Sequence, residues 1–240
     1  MDVGVGALLV ALTAILMGSI VQGAIGFGLN LLAAPLVALV VPEALPTSLV
    51  LVAFPLTLSM AIREHHGIDR EALPWLLVGA VPGTLVGLMI VSEITGTELA
   101  AVIGAITLIG VALSIVSPPI PINRRTSSVA GFLSNTFGTA ASIGGPPIAL
   151  LFQHHRGAIA RPTIAAFFAA SGFLSLVGYV AAGTIHTDQV LFALALLPAM
   201  ILGLWASKHL HPFVDGGWLR PAVLGLSAIA GVAALVRGLT

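Results

Sequence analysis

Gln22-Gly23-Ala24-Ile25-Gly26-Phe27-Gly28-Leu29-Asn30 runs on through apolar residues to Pro35, and a later segment repeats its logic. That segment reads Ser134-Asn135-Thr136-Phe137-Gly138-Thr139-Ala140-Ala141-Ser142 and continues through Gly144-Gly145-Pro146 to Pro147. A shift of 112 residues lays Gly26 on Gly138 and Pro35 on Pro147. Glycine permits positive φ and close backbone approach, and proline removes an amide donor. Both segments are therefore expected to interrupt helices.

The surroundings of these breaks are lipid-like. Hydrophobic residues make up 58% of the 240 and charged residues only 8%, with a mean hydropathy of +1.12. A soluble domain is about a quarter charged. Val3–Pro42, Ala44–Ile62, Ala72–Ser92 and Leu99–Asn123 carry no Asp, Glu, Lys or Arg. The same holds for Thr126–Gln153, Pro162–Thr187, Gln189–Ser207 and Pro221–Val236. A helix needs roughly 20 apolar residues to cross the hydrocarbon, and backbone groups cannot stay unpaired there. Without the alternation of a β-barrel, the chain reads as an all-α polytopic membrane protein.

Other classes recede. Nine basic and nine acidic residues give no net charge, so no nucleic-acid partner is expected. The absence of cysteine excludes disulfides, thiolate metal sites and cysteine nucleophiles. No cofactor is expected. The first apolar run lacks a basic n-region and a small-residue cleavage site, and reads as a membrane segment rather than a removed signal.

The duplication extends past the breaks. Pro46-Thr47 matches Pro162-Thr163, each expected to open a helix. Pro82 and Gly87 match Pro198 and Gly203, while Gly104, Gly110 and Val111 match Gly225, Gly231 and Val232. One repeat spans 1–122, with a broken segment at 3–42 and helices near 44–62, 72–92 and 99–118. The other spans 123–240, with a broken segment at 126–153 and helices near 162–185, 189–207 and 220–237.

Orientation follows from Lys and Arg. Eight simple spans would split the basic residues four against five. If each broken segment instead leaves on the side where it entered, Arg63, Arg70, Arg124, Arg125, Arg156, Arg161, Lys208 and Arg220 share the cytoplasmic face. Only Arg237 then lies outside. The 40 residues of Val3–Pro42 suffice for two crossings, at about 1.5 Å per residue. Thr126–Gln153, with 28, suits a re-entrant pair of half-helices. A hairpin plus three spans per half makes the two repeats inverted, and broken helices at matching positions mark the binding site of such carriers.

These breaks suit an oxyanion. The start of a half-helix carries roughly half a positive charge on its free amides, and no Lys or Arg lies deep in an apolar segment. Candidate substrate-binding residues are Gln22, Gly26, Gly28, Asn30, Asn135, Thr136, Gly138, Thr139, Ser142, Gly144 and Gly145, with Ser134 beside them. Pro35, Pro146 and Pro147 are the structural breaks. Buried Asn and Gln are costlier than Ser and Thr, which often bond their own helix. The bland reading of glycine, small-residue helix packing, covers Gly83 with Gly87 and Gly104 with Gly110 better than it covers the breaks. His65-His66 and His154-His155 read as interfacial loop residues rather than a metal site or proton relay. Asp and Glu, Glu43 and Asp215 included, fall at segment ends.

On the stretch from Gly23 to Pro35 and its partner from Gly131 to Pro147, the sequence resembles the sulfite exporter TauE/SafE family, also called the toluene-sulfonate uptake permeases. The resemblance covers essentially the whole chain. It implies a bacterial inner-membrane carrier for sulfite, sulfonates or related organic anions. Gly26-Phe27-Gly28-Leu29-Asn30 departs from the commoner Gly-Gly-Gly pattern of that family. Expected partners are a small-molecule anion, the lipid bilayer and a second copy in a homodimer. The competing readings are a channel for small anions or neutral solutes and a scaffold subunit. An intramembrane enzyme is disfavoured by the lack of Gly-x-Ser-x-Gly and of paired membrane carboxylates.

Overall fold

The computed structural model describes residues 3–94, 97–115, 120–214 and 219–239, with the side chains of 97 and 209–220 outside that description. Ten α-helices appear among the described residues: α1 (Val5–Ile25), α2 (Leu29–Val40), α3 (Thr47–Arg63), α4 (Ala72–Glu93) and α5 (Thr97–Ile115), then α6 (Arg124–Ala141), α7 (Gly145–Phe152), α8 (Gly157–Ala181), α9 (Thr187–Val214) and α10 (Leu219–Leu239). Six of them, α1, α4, α5, α8, α9 and α10, are long and apolar enough to cross a bilayer. The chain is a multi-pass, all-helical membrane protein.

Both glycine- and proline-rich segments break the helix and reverse the chain. Gly26 (φ 102°) ends α1 and Gly28 (φ 120°) precedes α2, conformations costly for any residue with a Cβ. A straight helix would hold Gly18 and Leu29 about 16 Å apart. Here a methyl added to Gly18 would stand 2.7 Å from the Leu29 carbonyl oxygen, so α2 folds back on α1. The second reversal turns at Ser142 (φ 63°) and sets Gly144 against Ser134. Pro35 sits within α2 and interrupts nothing; the break falls at the glycines before it.

Helix directions follow from close backbone contacts. Gly79, Gly83 and Gly87 of α4 lie in order against Ser128, Phe132, Thr136 and Thr139 of α6, so these two helices run parallel. α1 and α9 also run parallel, with Gly203 on Leu16 to Ile20 and Gly23 on Ser207. By contrast α5 and α10 run antiparallel, Gly104 meeting Gly231 and Leu235 while Gly238 meets Ala101. α3 and α8 do likewise: the Phe54 and Phe173 rings lie 6.3 Å apart, and Glu64 bonds Arg161. The small-residue reading of Gly83 with Gly87 thus describes a helix seam, whereas Gly110 packs on Pro146 of α7.

Charge divides by end. Arg63 closes α3, Arg70 precedes α4, Arg124 and Arg125 open α6, and Arg156 and Arg161 flank the start of α8, all at one end. Lys208 follows the Ser207 that packs on Gly23 near that end. Arg237 lies at the other, where its guanidinium donates to the Leu39 carbonyl.

Several element bounds differ from the sequence expectation. Pro162 does not open α8, which starts five residues earlier at Gly157. Pro162 leaves the Ala158 carbonyl without its helical donor, and ring and carbonyl both pack on Gly67, where a methyl would stand 2.8 Å from Pro162 Cγ and 2.3 Å from Ala158 O. The third helix starts at Thr47 rather than near 44, after a 3₁₀ turn at Pro42–Ala44. α9 continues past Ser207 to Val214. Residues 116–118 of the helix expected near 99–118 and Asp215 lie outside the described residues, as does the Arg220 side chain.

The α4–α6 seam gives a direct test. A methyl at Gly79 would lie 1.9 Å from the Ser128 carbonyl oxygen, whereas one at Gly6 meets nothing within 4 Å. Gly79→Ala should lower stability by about 1–3 kcal/mol, the usual cost of overpacking, and Gly6→Ala should not. Equal thermal midpoints for the two variants in detergent would refute the seam.

Candidate functional site

Each break satisfies its own backbone first. The Gly26 amide donates to the Gln22 carbonyl at 2.7 Å, closing α1. The Gln22 side chain then reaches forward, its Oε1 accepting the Leu29 amide at 3.0 Å in the first turn of α2. Because an amide N–H can only donate, Oε1 faces α2 and Nε2 is left as a donor. At the second break Ser142 donates its amide to the Gly138 carbonyl and Ile143 to that of Phe137, at 2.8 and 3.2 Å. Ser134 Oγ donates to the Gly144 carbonyl, and Ser142 Oγ to that of Pro46 at 2.8 Å.

The two reversals then meet. A methyl on Gly145 would stand 3.0 Å from the Phe27 ring, and one on Gly110 would touch both Leu31 and Pro146. The first turns of α2 and α7 are therefore neighbours, each turning its positive end to the same region. Pro146 and Pro147 occupy that turn of α7 and carry no N–H, so Gly144 and Gly145 supply its free amides. This end is narrower than the sequence alone suggested.

A cavity of about 590 Å³, its open mouth included, lies at this meeting point. Gln22, Gly28 and Asn30 line it from the first break, with Asn135, Gly138, Ser142, Gly144 and Gly145 from the second. Ser134 joins them. None of the lining residues is charged or a histidine. The carboxamide oxygen of Asn30 is buried without a hydrogen-bond partner.

Gly26, Thr136 and Thr139, expected at the site, lie elsewhere. Gly26 backs onto the Arg161 side chain, whose Nε bonds Glu64 Oε2 at 2.7 Å. Thr136 donates to Phe132 O at 2.8 Å, on the face of α6 toward Gly83 and Gly87. Thr139 shares a 2.7 Å hydrogen bond with Ser175 Oγ and packs on Gly87. A helix shows only one face to a cavity, and these threonines occupy the face turned to α4 and α8. Asn135 has a divided role. Its Nδ2 donates to Ala80 O at 3.0 Å and to Thr84 Oγ1 at 2.5 Å, tying α6 to α4. Thr84 already gives its own proton to Ala80 O, so this network fixes Oδ1 as the atom left over.

Sequence reasoning missed the walls supplied by α3 and α8: Phe54 and Thr57 on one, Phe168, Ser171 and Ser175 on the other. A signal existed. Ser171, Ser175 and Tyr179 recur every four residues on one face of an apolar helix, and Ser175 donates to Ser171 O at 3.0 Å. The Tyr179 hydroxyl donates to the Thr139 carbonyl, bracing the same face.

A family model described as Sulfite exporter TauE/SafE matches residues 10–234, nearly the whole chain. The chain belongs to this family. The TauE/SafE family is one of membrane transporters, which agrees with the helices and the central uncharged cavity. No curated protein and no solved structure matches the chain.

Gly138 separates cavity from seam. A methyl there makes only ordinary contact, at 3.6 Å from Gly144 Cα. Gly138→Leu should fold, fill the cavity and cut flux more than about tenfold, the scale of a lost binding contact of 1.4 kcal/mol or more. Thr136→Ala, away from the cavity, should transport normally. Reconstituted flux measured for both variants decides the matter, and normal flux in Gly138→Leu removes the cavity from the pathway.

Proposed function

We propose that this TauE/SafE protein is a secondary carrier that moves a small sulfur oxyanion, sulfite or an organosulfonate, across the bacterial inner membrane. The observation behind the reading is the convergence of two half-helix N-termini on a cavity without charged side chains. An anion leaving water loses solvation worth many kcal/mol, and two helix ends, each roughly half a positive charge, return part of it. Sulfur oxyanion oxygens only accept hydrogen bonds. The Gln22 carboxamide N–H, the Gly144 and Gly145 amides and the Ser171 hydroxyl match that need. Phe54, Phe168 and Leu31 give an organic substituent an apolar wall.

In this reading an axis in the membrane plane relates the two halves. The antiparallel runs of α3 with α8 and of α5 with α10 support it, as each pairs a helix with its counterpart in the other half. The arginine-rich end is cytoplasmic by the positive-inside rule. Alternating access then opens the cavity first to one end and then to the other, with the two reversals at its centre.

The decisive experiment is uptake of radiolabelled sulfite, sulfate and a small sulfonate into proteoliposomes under imposed potentials of either sign. Saturable flux with counterflow for one sulfur oxyanion is the expected result, and Asn30→Ala or Gln22→Ala should raise its half-saturation concentration. Flux that never saturates would indicate a channel instead. Absence of flux for all three would overturn the sulfur assignment.

A further inference from the structure

A second cleft lies at the arginine-rich end, away from the central cavity, between the starts of α4 and α6. Arg70, Trp75, Arg124, Ser127 and His155 line it, together with Asp69 and Glu71. The Arg124 guanidinium stands 4.9 Å from the centre of the Trp75 ring. Neither Arg70 nor Arg124 forms an ion pair among the described residues, although two carboxylates are near. Asp69 is otherwise engaged, since its Oδ1 accepts the Glu71 and Ala72 amides at 2.9 Å each. Ser127 is fully buried, and its hydroxyl has no hydrogen-bond partner.

The end of α6 itself is closed. Asn123 Oδ1 accepts the Arg125 and Thr126 amides at 3.0 and 3.1 Å, so the helix offers the cleft few free amides. What the cleft offers is two unpaired guanidiniums and a buried hydroxyl. That set suits a phosphate, which accepts hydrogen bonds at every oxygen.

The neighbourhood says which phosphate. Beyond Trp75, Val78, Val81, Leu85 and Met89 expose an apolar stripe along α4, and Val129 and Leu133 do the same on α6. Val78 and Val129 are each 57% exposed. An aromatic ring and arginines at the head of such stripes form the usual arrangement at a membrane interface. We propose that this cleft binds the headgroup phosphate of an anionic phospholipid, with acyl chains lying along the α4 and α6 stripes. The lipid would hold the α4–α6 pair at the membrane surface, where the seam that carries the second break begins.

The test uses the purified full chain in neutral detergent, titrated with phosphatidylglycerol, phosphatidylcholine or inorganic phosphate. Native mass spectrometry counts bound lipid and a thermal midpoint reports its effect. Phosphatidylglycerol should bind and raise the midpoint, while phosphatidylcholine and inorganic phosphate should not. The Arg70→Ala/Arg124→Ala double variant should weaken phosphatidylglycerol binding about 25-fold, about fivefold for each arginine. Ser127→Ala should weaken it with an unchanged lipid-free midpoint. Arg125→Ala/Arg156→Ala removes the same charge from the same end outside the cleft and should bind as the parent does. Equal losses in the two double variants, or equal binding of the two lipids, would overturn the site. A midpoint raised as much by inorganic phosphate would overturn the lipid and leave a soluble anion.

Discussion

Nothing in a membrane-embedded helix can be interrupted cheaply, because each backbone group released in hydrocarbon must find a partner. The organisation of this protein follows from meeting that requirement twice. At the first reversal the Gln22 carboxamide takes the leading amide of α2. At the second, Ser134 supplies a hydroxyl to Gly144, Ser142 supplies one to Pro46, and two prolines remove amides that would otherwise need acceptors. Polar residues in these segments are therefore largely committed to the fold. What remains uncommitted faces the cavity.

Holding the reversals in register falls to glycine. The ladder of Gly79, Gly83 and Gly87 brings the α4 backbone against that of α6, and Gly203 with Gly23 does the same for α9 and α1. Lipid tails give helices no hydrophobic reason to associate, so such close packing and the hydrogen bonds it permits must supply the stability. Asn135 uses the proximity by bonding Ala80 and Thr84 across the seam. Each hairpin is thus packed against one long helix of the other half of the chain.

The cavity has no fixed cation, and that shapes its chemistry. A buried arginine would bind an anion tightly and, once the anion left, would be an unpaired charge in low dielectric. Helix ends and carboxamides carry smaller, fixed dipoles that leave no such penalty in the empty state. In the proposed carrier reading, oriented dipoles suit release as well as binding, since a substrate held too firmly is not let go.

The sequence by itself determined the solvent, the helical class and the positions of both breaks. Composition sets the first two, and Gly26 and Gly28 mark the first break through their own positive φ, whereas at the second break the left-handed residue is Ser142, two residues before the Gly144-Gly145-Pro146-Pro147 run that the sequence displays. It also singled out Gln22, Asn30, Asn135 and Gly138, which the fold brings to the central cavity. It did not tell which residue of a break faces the cavity: Gly26, Thr136 and Thr139 belong to the same motifs and point elsewhere. Nor did it bring Thr57, Phe168, Ser171 and Ser175 to the site, since they come from helices far away in the chain. Pro162 misled for a related reason, since the space for its ring and the adjacent Ala158 carbonyl is left by Gly67 from another loop. Local chemistry fixes where a chain bends, but the facing of a helix depends on which neighbour its glycines admit, and that is decided only when the helices pack.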